Sequence, residues 1–150
     1  MRVYLVIMDE SDEAQRALDF ASRRAAASGG AVHILALVQP QSFNAWGAVQ
    51  ATIEQEARDR AEVLASAAAG NLFSESGKMP VIAVRVGEGQ AVIKDYLAEH
   101  PEVAALVLGA AADGNPGPLV THFSAHSGSL PCPLYVVPGT LSDADMDRLA

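Results

Sequence analysis

Short apolar runs alternate with amphipathic segments along almost the whole chain, and this alternation constrains the fold more than any other feature of the sequence. Five runs are rich in aliphatic and β-branched residues, and the first of them is apolar on both faces, which is typical of a strand covered by helices on two sides. The predicted strands β1 to β5 are Val3–Met8, Ala31–Val38, Val81–Val86, Val103–Leu108 and Leu134–Val137. Because β4 is the most apolar of them, it is predicted to be the central strand.

The segments between these strands have the periodicity or the end signals of helices. In the first, α1, apolar residues recur at helical spacing after Asp9-Glu10-Ser11, and Gly29-Gly30 ends the segment. A long α2 ends at Gly77 and Pro80. The two remaining segments are a short α3 from about Gln90 to Glu99 and a short α4 from Leu119 to about Ser127.

Helices that alternate with strands imply right-handed crossovers and a mainly parallel sheet. The sequence therefore predicts an α/β fold with a single-domain open five-stranded sheet and helices on both faces. This domain covers residues 1–138, and residues 139–150 are predicted to be an acidic C-terminal tail in which Leu141 to Leu149 adds a turn of helix.

Composition and charge exclude several classes of function. The chain has 150 residues, of which 50% are hydrophobic and 19% are charged, as in a globular domain. Its net charge of −8 argues against binding to a nucleic-acid backbone or an anionic membrane. The single cysteine, Cys132, cannot form an internal disulfide, and no apolar run reaches the ~20 residues that span a bilayer. We therefore expect a cytoplasmic protein.

In a parallel sheet, ligands bind beyond the carboxyl ends of the strands, where the strand order reverses. The segments that follow β1, β2, β3 and β4 in this chain are Asp9-Glu10-Ser11, Val38-Gln39, Gly87-Glu88-Gly89 and the residues from Gly109 onward. His33, in the middle of β2, is interpreted as a core histidine with a hydrogen-bond partner. Phe43 and Trp46, in the loop after β2, are expected to pack under that loop.

These strand-end residues resemble those of the universal stress protein family. The resemblance extends from β1 through β5 and leaves only the tail outside. It depends on the order and spacing of these pieces: Asp9 after β1, Val38 at the end of β2, Arg85-Val86-Gly87-Glu88 before a helix start, Val107-Leu108-Gly109, and Pro131-Cys132-Pro133-Leu134 before β5.

The resemblance implies a sheet of order 3-2-1-4-5, of the adenine nucleotide alpha hydrolase-like type, and a homodimer commonly formed through β5. In one branch of the family it also implies an ATP site. There, the aspartate after β1 and the backbone near the end of β2 bind adenine and ribose, and a G-x2-G-x9-G-[S/T] loop binds the phosphates. The matching candidates for nucleotide binding are Asp9, Val38, Gly87, Gly109, Gly114 and Thr121.

The loop after β4 departs from this family pattern. Gly109 and Thr121 are 12 positions apart, so the loop lacks two residues of the pattern. Ala112 replaces the second glycine, although Gly114 could substitute for it, and Val120 replaces the third. A β-branched valine resists the close backbone approach and the positive φ that glycine permits. The cradle of backbone N–H groups is therefore expected to be misshapen.

Electrostatics also disfavours a triphosphate. No Lys or Arg occurs between Asp95 and Asp147, and Asp9, Glu10 and Asp113 are expected near the same rim. A carboxylate about 8 Å from a phosphate costs on the order of 2 kcal/mol at an effective dielectric of ~20. We therefore expect a non-enzymatic stress-response binding module with an altered or vestigial nucleotide pocket and an unknown protein partner.

The main alternative is an ATP-binding protein with slow ATPase or ATP-dependent switch activity. In that case Mg²⁺ held by Asp9 and Asp113 would bridge the phosphate oxygens. A third interpretation gives these residues structural roles only: Asp9 and Ser11 cap α1, and residues 109–117 form a Gly/Pro connector.

Other activities find less support in the sequence. Asp9-Glu10 also resembles the acid pair of response-regulator receivers, but that family needs an aspartate where this chain has Gly87-Glu88. No G-x-S-x-G elbow is present for a hydrolase. His122 and His126 lack a third metal ligand nearby in the sequence, so no metal site is predicted. The hydroxyl groups of Thr121, Ser124, Ser127 and Ser129 are interpreted as helix caps, with phosphorylation as the alternative.

The last strand is the candidate for self-association. An apolar strand at a sheet edge favours pairing with a second copy, and two-fold symmetry is the commonest arrangement. We predict a homodimer whose interface includes Leu134, Tyr135, Val136 and Val137.

Overall fold

The computed structural model describes residues 1–40 and 47–150, of which 47–50 are described only as helix backbone. The predictions for Phe43 and Trp46 fall outside these residues. The strands are β1 Val3–Met8, β2 Ala31–Val38, β3 Val81–Val86, β4 Val103–Ala110 and β5 Leu134–Pro138. The helices are α1 Asp12–Ser28, α2 Gly47–Ser76, α3 Gly89–Glu99, α4 Pro118–Ala125 and α5 Asp143–Leu149, with a 3₁₀ turn at Ser127–Ser129.

The five strands form one parallel sheet of order β3-β2-β1-β4-β5. The predicted order and fold class are confirmed, but β1 and not β4 is the middle strand. All six residues of β1 are buried, because helices cover both of its faces and strands pair with both of its edges. Apolar content does not distinguish the middle strand from its inner neighbours, since all of them are covered on both sides.

β4 is longer than predicted at its carboxyl end. Gly109 and Ala110 pair with Val137 and Pro138 of β5, so the strand continues into what the glycine-rich sequence indicated as a loop. The connection to α4 therefore begins only at residue 111. This extension places Gly109 inside the sheet and fixes its backbone.

Alternate residues of β1 point to two separate cores. Tyr4, Val6 and Met8 pack with the alanine-rich faces of α1 and α2, whereas Leu5 and Ile7 pack with α3 and α4. Small residues such as Ala14, Ala17 and Ala21 bring α1 close to the sheet. The sheet is thus a rigid platform that positions the residues beyond its carboxyl edge.

His33 is a core histidine with a partner, as the sequence predicted. Its side chain is 8% exposed, and its Nδ1 shares a 2.8 Å hydrogen bond with the Tyr96 hydroxyl. Burial and the nearby His100 lower the pKa of His33, while Glu102 opposes that change. The neutral ring therefore completes the packing between β2 and α3.

The C-terminal segment folds back on α1. Ser142 caps α5 through a capping box with Asp145, and Met146 is fully buried. Three ion pairs join the helices: Arg16 to Asp143 at 3.3 Å, Arg23 to Asp143 at 3.7 Å and Arg23 to Asp147 at 2.6 Å. Because both aspartates are largely exposed, Met146 contributes more to this contact than the ion pairs do.

No helix in the part of the chain that the structure describes has the length and hydropathy needed to cross a membrane.

Candidate functional site

A cleft of about 440 Å³ lies at the carboxyl edge of the sheet. It is lined by the ends of β1, β2 and β4, by the first turns of α1 and α3, and by residues 116–120, which lead into α4. Its volume is in the range of small-molecule sites, and it lies where the strand order reverses between β1 and β4. The cleft is therefore the candidate binding site.

Asp9 and Ser11 form the part of the cleft that follows β1. The backbone N–H of Ser11 donates to Asp9 Oδ1 at 2.8 Å, and the Ser11 hydroxyl donates to the same oxygen. The Ser11 oxygen in turn accepts a hydrogen bond from the N–H of Ala14, which caps α1. Ser11 therefore caps α1 as the structural interpretation predicted, whereas Asp9 binds Ser11 and no N–H group of the helix, and the other Asp9 carboxylate oxygen faces no donor that the structure records.

Glu88 is the N-cap residue of α3, as Ser11 is of α1. Its two carboxylate oxygens accept hydrogen bonds from the N–H groups of Gln90 and Ala91 at 3.1 and 3.0 Å. The positive end of α3 is therefore already occupied by a carboxylate of the chain itself. Glu88 was named in the sequence only as part of the turn after β3; its capping role follows from its position directly before the helix.

Two internal hydrogen bonds hold the connection between β4 and α4. The N–H of Ala111 donates to the carbonyl of Pro116, and the N–H of Gly117 donates to Asn115 Oδ1 at 2.9 Å. Pro116 and Pro118 have no N–H group, so four of the backbone positions 111–118 offer no donor to a ligand. The amides of Leu119 and Val120, in the first turn of α4, have no acceptor in the part of the chain that the structure describes, and neither have the amides of residues 112–115.

Gly109 lines the cleft, and its backbone lies against α1. A Cβ atom at this position would collide with the main-chain carbonyl of Glu13 and would also be 3.1 Å from the nitrogen of Ala14. The absence of a side chain at Gly109 therefore permits α1 to pack on β4. This role is visible only once α1 and β4 are in contact.

Three carboxylate side chains, those of Asp9, Glu13 and Glu88, line the cleft. No lysine, arginine or histidine lines it, as far as residues 1–40 and 47–150 show. Of the acids expected near this rim, Asp9 is present, whereas Glu10 lines a neighbouring cavity and Asp113 lines neither. Glu13 was missed, although its place in the first turn of α1 indicates the same end of the sheet.

The neighbouring cavity, of about 460 Å³, lies between the ends of β1 and β2 and the side of α2. Val38 and Arg60 line it, and Asp9 lies between it and the cleft. The Val38 carbonyl accepts a hydrogen bond from Gly87 N–H at 3.0 Å, which ties the ends of β2 and β3 together. Arg60 thus contributes a cation to the cavity that Asp9 also lines, outside the cleft itself.

The remaining nucleotide-binding candidates do not line the cleft. Gly87 has a φ of 155° and lies beside Val92, and Gly114 has a φ of 68° with no neighbouring atom in reach of a Cβ. The hydroxyl of Thr121 donates to the Gly117 carbonyl at 2.9 Å, inside the first turn of α4. Of the six candidates, the structure brings only Asp9 and Gly109 together in the cleft.

His122 and His126 stack on each other with ring centroids 4.4 Å apart, and His126 Nδ1 donates to the His122 carbonyl. Over the described residues, no three His, Cys, Asp or Glu side chains are grouped as metal ligands.

The thiol of Cys132 is partly buried, and this burial raises its pKa. Metal and thiol chemistry therefore have no assembled site in this part of the chain.

The edge of β5 forms an apolar groove of about 530 Å³. Its walls are the four predicted interface residues together with Phe20, Leu141 and Leu149, and Tyr135 contacts the rings of Tyr4 and Phe20. Val136 is 40% exposed. Arg24 also lines the groove, and its buried Nε has no acceptor in the described chain. The groove is therefore an exposed and largely apolar surface.

The sequence profile of the Universal stress protein family matches residues 1–138. The chain belongs to the universal stress protein family. No curated protein matches the chain. The family match agrees with the resemblance of the strand-end residues.

Solved structures of the family have the same fold. Universal stress protein UspA from Lactobacillus plantarum is 21% identical, with a TM-score of 0.77, over 91% of this chain and 97% of that one. The Archaeoglobus fulgidus universal stress protein in complex with dAMP is 19% identical, with a TM-score of 0.59, over 91% and 97%. An Arabidopsis thaliana family protein with AMP bound is 18% identical, with a TM-score of 0.61, over 95% and 97%. At such identities these structures establish the fold alone.

Proposed function

We propose that this universal stress family protein is a non-enzymatic, cytoplasmic stress-response module that acts by binding partners and does not hold a nucleoside triphosphate. The observation that carries the proposal is the lining of the strand-end cleft, which contains Asp9, Glu13 and Glu88 and, among the described residues, no cationic side chain. A triphosphate placed there would meet three carboxylates. Its charge would have no counterpart among those side chains.

The size of the repulsion between the carboxylates and a phosphate supports this proposal. One carboxylate about 8 Å from a phosphate costs on the order of 2 kcal/mol at an effective dielectric of ~20. The N-terminus of α4 would return about 0.3–1 kcal/mol, or up to ~2 kcal/mol where it is partly buried. Repulsion from even two of the three carboxylates therefore exceeds the attraction of the helix.

The hydrogen-bond donors lead to the same conclusion. The Gly117 N–H binds Asn115, the Thr121 hydroxyl binds Gly117, and the Ser11 hydroxyl binds Asp9. A phosphate that bound any of these three donors would have to displace its internal partner. Each displacement leaves an acceptor without its hydrogen bond, which offsets the new contact.

The second candidate is a nucleotide-binding protein with slow ATPase or switch activity. The amides of Leu119 and Val120 favour it, because neither has an acceptor among the described residues and two such N–H groups can bind one phosphate. The family proteins from Archaeoglobus fulgidus and Arabidopsis thaliana were solved with dAMP and AMP, which carry a single phosphate. ATP in this cleft would require Mg²⁺ to offset the carboxylates.

The proposal includes a homodimer formed through β5. Support comes from the exposed apolar edge of that strand, with Val136 at its centre, and from the groove beside it. The Arg24 Nε adds a buried donor that has no acceptor in the described chain and that a second copy could satisfy. None of the residues that line the β5 groove lines the strand-end cleft.

Thermal unfolding with ATP, AMP or neither, each with and without Mg²⁺, tests the proposal. A ligand at its Kd stabilises the native state by only about 0.4 kcal/mol, which shifts Tm by roughly 1–2 °C in a chain of this size. We expect no shift above that with 1 mM ATP. A larger shift that disappears in Asp9→Ala would establish the nucleotide-binding alternative.

A matched pair of variants links the result to the cleft charge. Glu13→Gln removes one of the three carboxylates, and Asp12→Asn removes one from the neighbouring position of α1 that does not line the cleft. We expect ATP to bind measurably better to Glu13→Gln than to Asp12→Asn. Equal affinities would show that the cleft charge does not exclude the triphosphate.

A further inference from the structure

A second cleft lies between α3 and α4, near the opposite end of α4 from the strand-end cleft. Its volume is about 630 Å³, and buried Leu97 and Phe123 line it together with the half-buried Leu130. Leu97 is 4% and Phe123 is 1% exposed, so both belong to the core as well as to the floor of the cleft. An apolar floor of this size fits an aliphatic or aromatic body.

The polar lining of this cleft differs in sign from that of the strand-end cleft. It contains Lys94 and His126, and no carboxylate lines it in the described part of the chain. Lys94 makes no ion pair with any described residue, although the chain as a whole has a net charge of −8. An unpaired lysine beside an apolar cleft is complementary to a single negative charge on an apolar molecule.

Among the polar side chains that the structure describes in this cleft, only Lys94 has all of its donors unused. The Ser129 hydroxyl donates to the His126 carbonyl at 3.0 Å, and His126 Nδ1 donates to the His122 carbonyl at 2.9 Å. A lysine ammonium group offers three N–H donors and acts as a point charge. One ammonium group balances the charge of one carboxylate, but it does not balance the charge of several phosphates.

From these contacts we infer that the α3–α4 cleft binds a small monocarboxylate with an apolar body. The carboxylate pairs with the Lys94 ammonium group, and the body covers Leu97, Phe123 and Leu130. This site is separate from the strand-end cleft, so it does not depend on whether that cleft holds a nucleotide.

Octanoate is the probe for the experiment, with 1-octanol as an uncharged molecule of the same chain length. Binding is followed by amide chemical shifts of the full chain, which locate the site, and by calorimetry, which gives Kd. We expect octanoate to shift the amides of residues 94–101 and 123–131 and to bind more tightly than 1-octanol.

Three variants test separately the charge of Lys94 and the space available in the α3–α4 cleft. Lys94→Gln should weaken octanoate binding roughly tenfold and leave 1-octanol binding unchanged, because only the charged hydrogen bond is lost. Ala98→Trp, at an exposed position of the cleft wall, should fill the space and abolish binding of both probes. Lys78→Gln removes the same charge from a lysine outside this cleft and should change neither.

The inference is overturned if octanoate causes no shifts, or if its shifts map to the strand-end cleft. It is also overturned if Lys94→Gln and Lys78→Gln weaken binding equally, or if Ala98→Trp, folded as judged by its melting temperature, still binds octanoate.

Discussion

Gly109 of β4 lies directly against the main-chain carbonyl of Glu13 in α1, with no room between them for a side chain. The same glycine lines the strand-end cleft, and so does Glu13. The close contact therefore sets the position of an acidic side chain relative to the end of β4. One small residue therefore determines the packing of α1 and the position of one of the three carboxylates in the cleft.

Gly109→Ala should destabilise the fold. The new methyl group would force α1 away from β4, and overpacking of this kind typically costs about 1–3 kcal/mol. Urea unfolding measures the loss. Gly70→Ala is the control, because Gly70 lies in α2 with no atom within 4 Å of a Cβ, and alanine there should raise stability by roughly 0.5–1 kcal/mol. Equal effects at both positions would contradict the account of the Gly109 contact.

His33 should make the protein less stable in mild acid. Burial, followed by the proximity of His100, lowers the pKa of His33 below its ordinary value of 6.5. Below pH 6.5 the unfolded chain therefore binds a proton that the folded chain does not, and the free energy of unfolding decreases as the pH falls towards the folded-state pKa.

Unfolding by urea between pH 7 and pH 5 checks this expectation in two variants. His33→Gln should lose part of the decrease seen in the wild type, because its side chain does not titrate. His126→Gln removes an exposed histidine and should retain the full decrease. If the two variants have the same pH dependence, His33 is not the group responsible.

Val136→Asp should convert a dimer into a monomer. The substitution places a charge at the centre of the exposed edge of β5, where a second copy would bring it out of water. Val81→Asp is the matched control, since Val81 is 51% exposed on β3, the opposite edge of the sheet. Light scattering at micromolar concentration should give the mass of two chains for the wild type and for Val81→Asp, and of one chain for Val136→Asp. A single-chain mass for the wild type would contradict the proposed dimer.

Strand positions could be predicted because short, continuous apolar runs with clear breaks between them are typical of buried parallel strands. The bounds of β1, β2 and β3 agree with the sequence prediction. β4 was predicted two residues too short, since Gly109 and Ala110 have the composition of a loop and are held in the strand by pairing with β5. Pairing partners in the sheet, and not local propensity, decide such positions.

The cleft was predicted in place but not in detail. Asp9 follows β1 directly, so its location could be deduced from the order of the elements. The role of Gly109 could not, because the contact that requires it is with Glu13, which is far away in the sequence. Glu88 and Asn115 bind backbone N–H groups of their own segments, and only the local geometry reveals which donors remain for a ligand.

The central claim is that a cleft lined by Asp9, Glu13 and Glu88 does not hold a triphosphate. Calorimetric titration of ATP into the wild-type protein, without Mg²⁺ and at low ionic strength, tests it most directly, because salt does not screen the carboxylates under these conditions. The account predicts no measurable binding at millimolar ATP. A micromolar Kd that Asp9→Ala abolishes would contradict it.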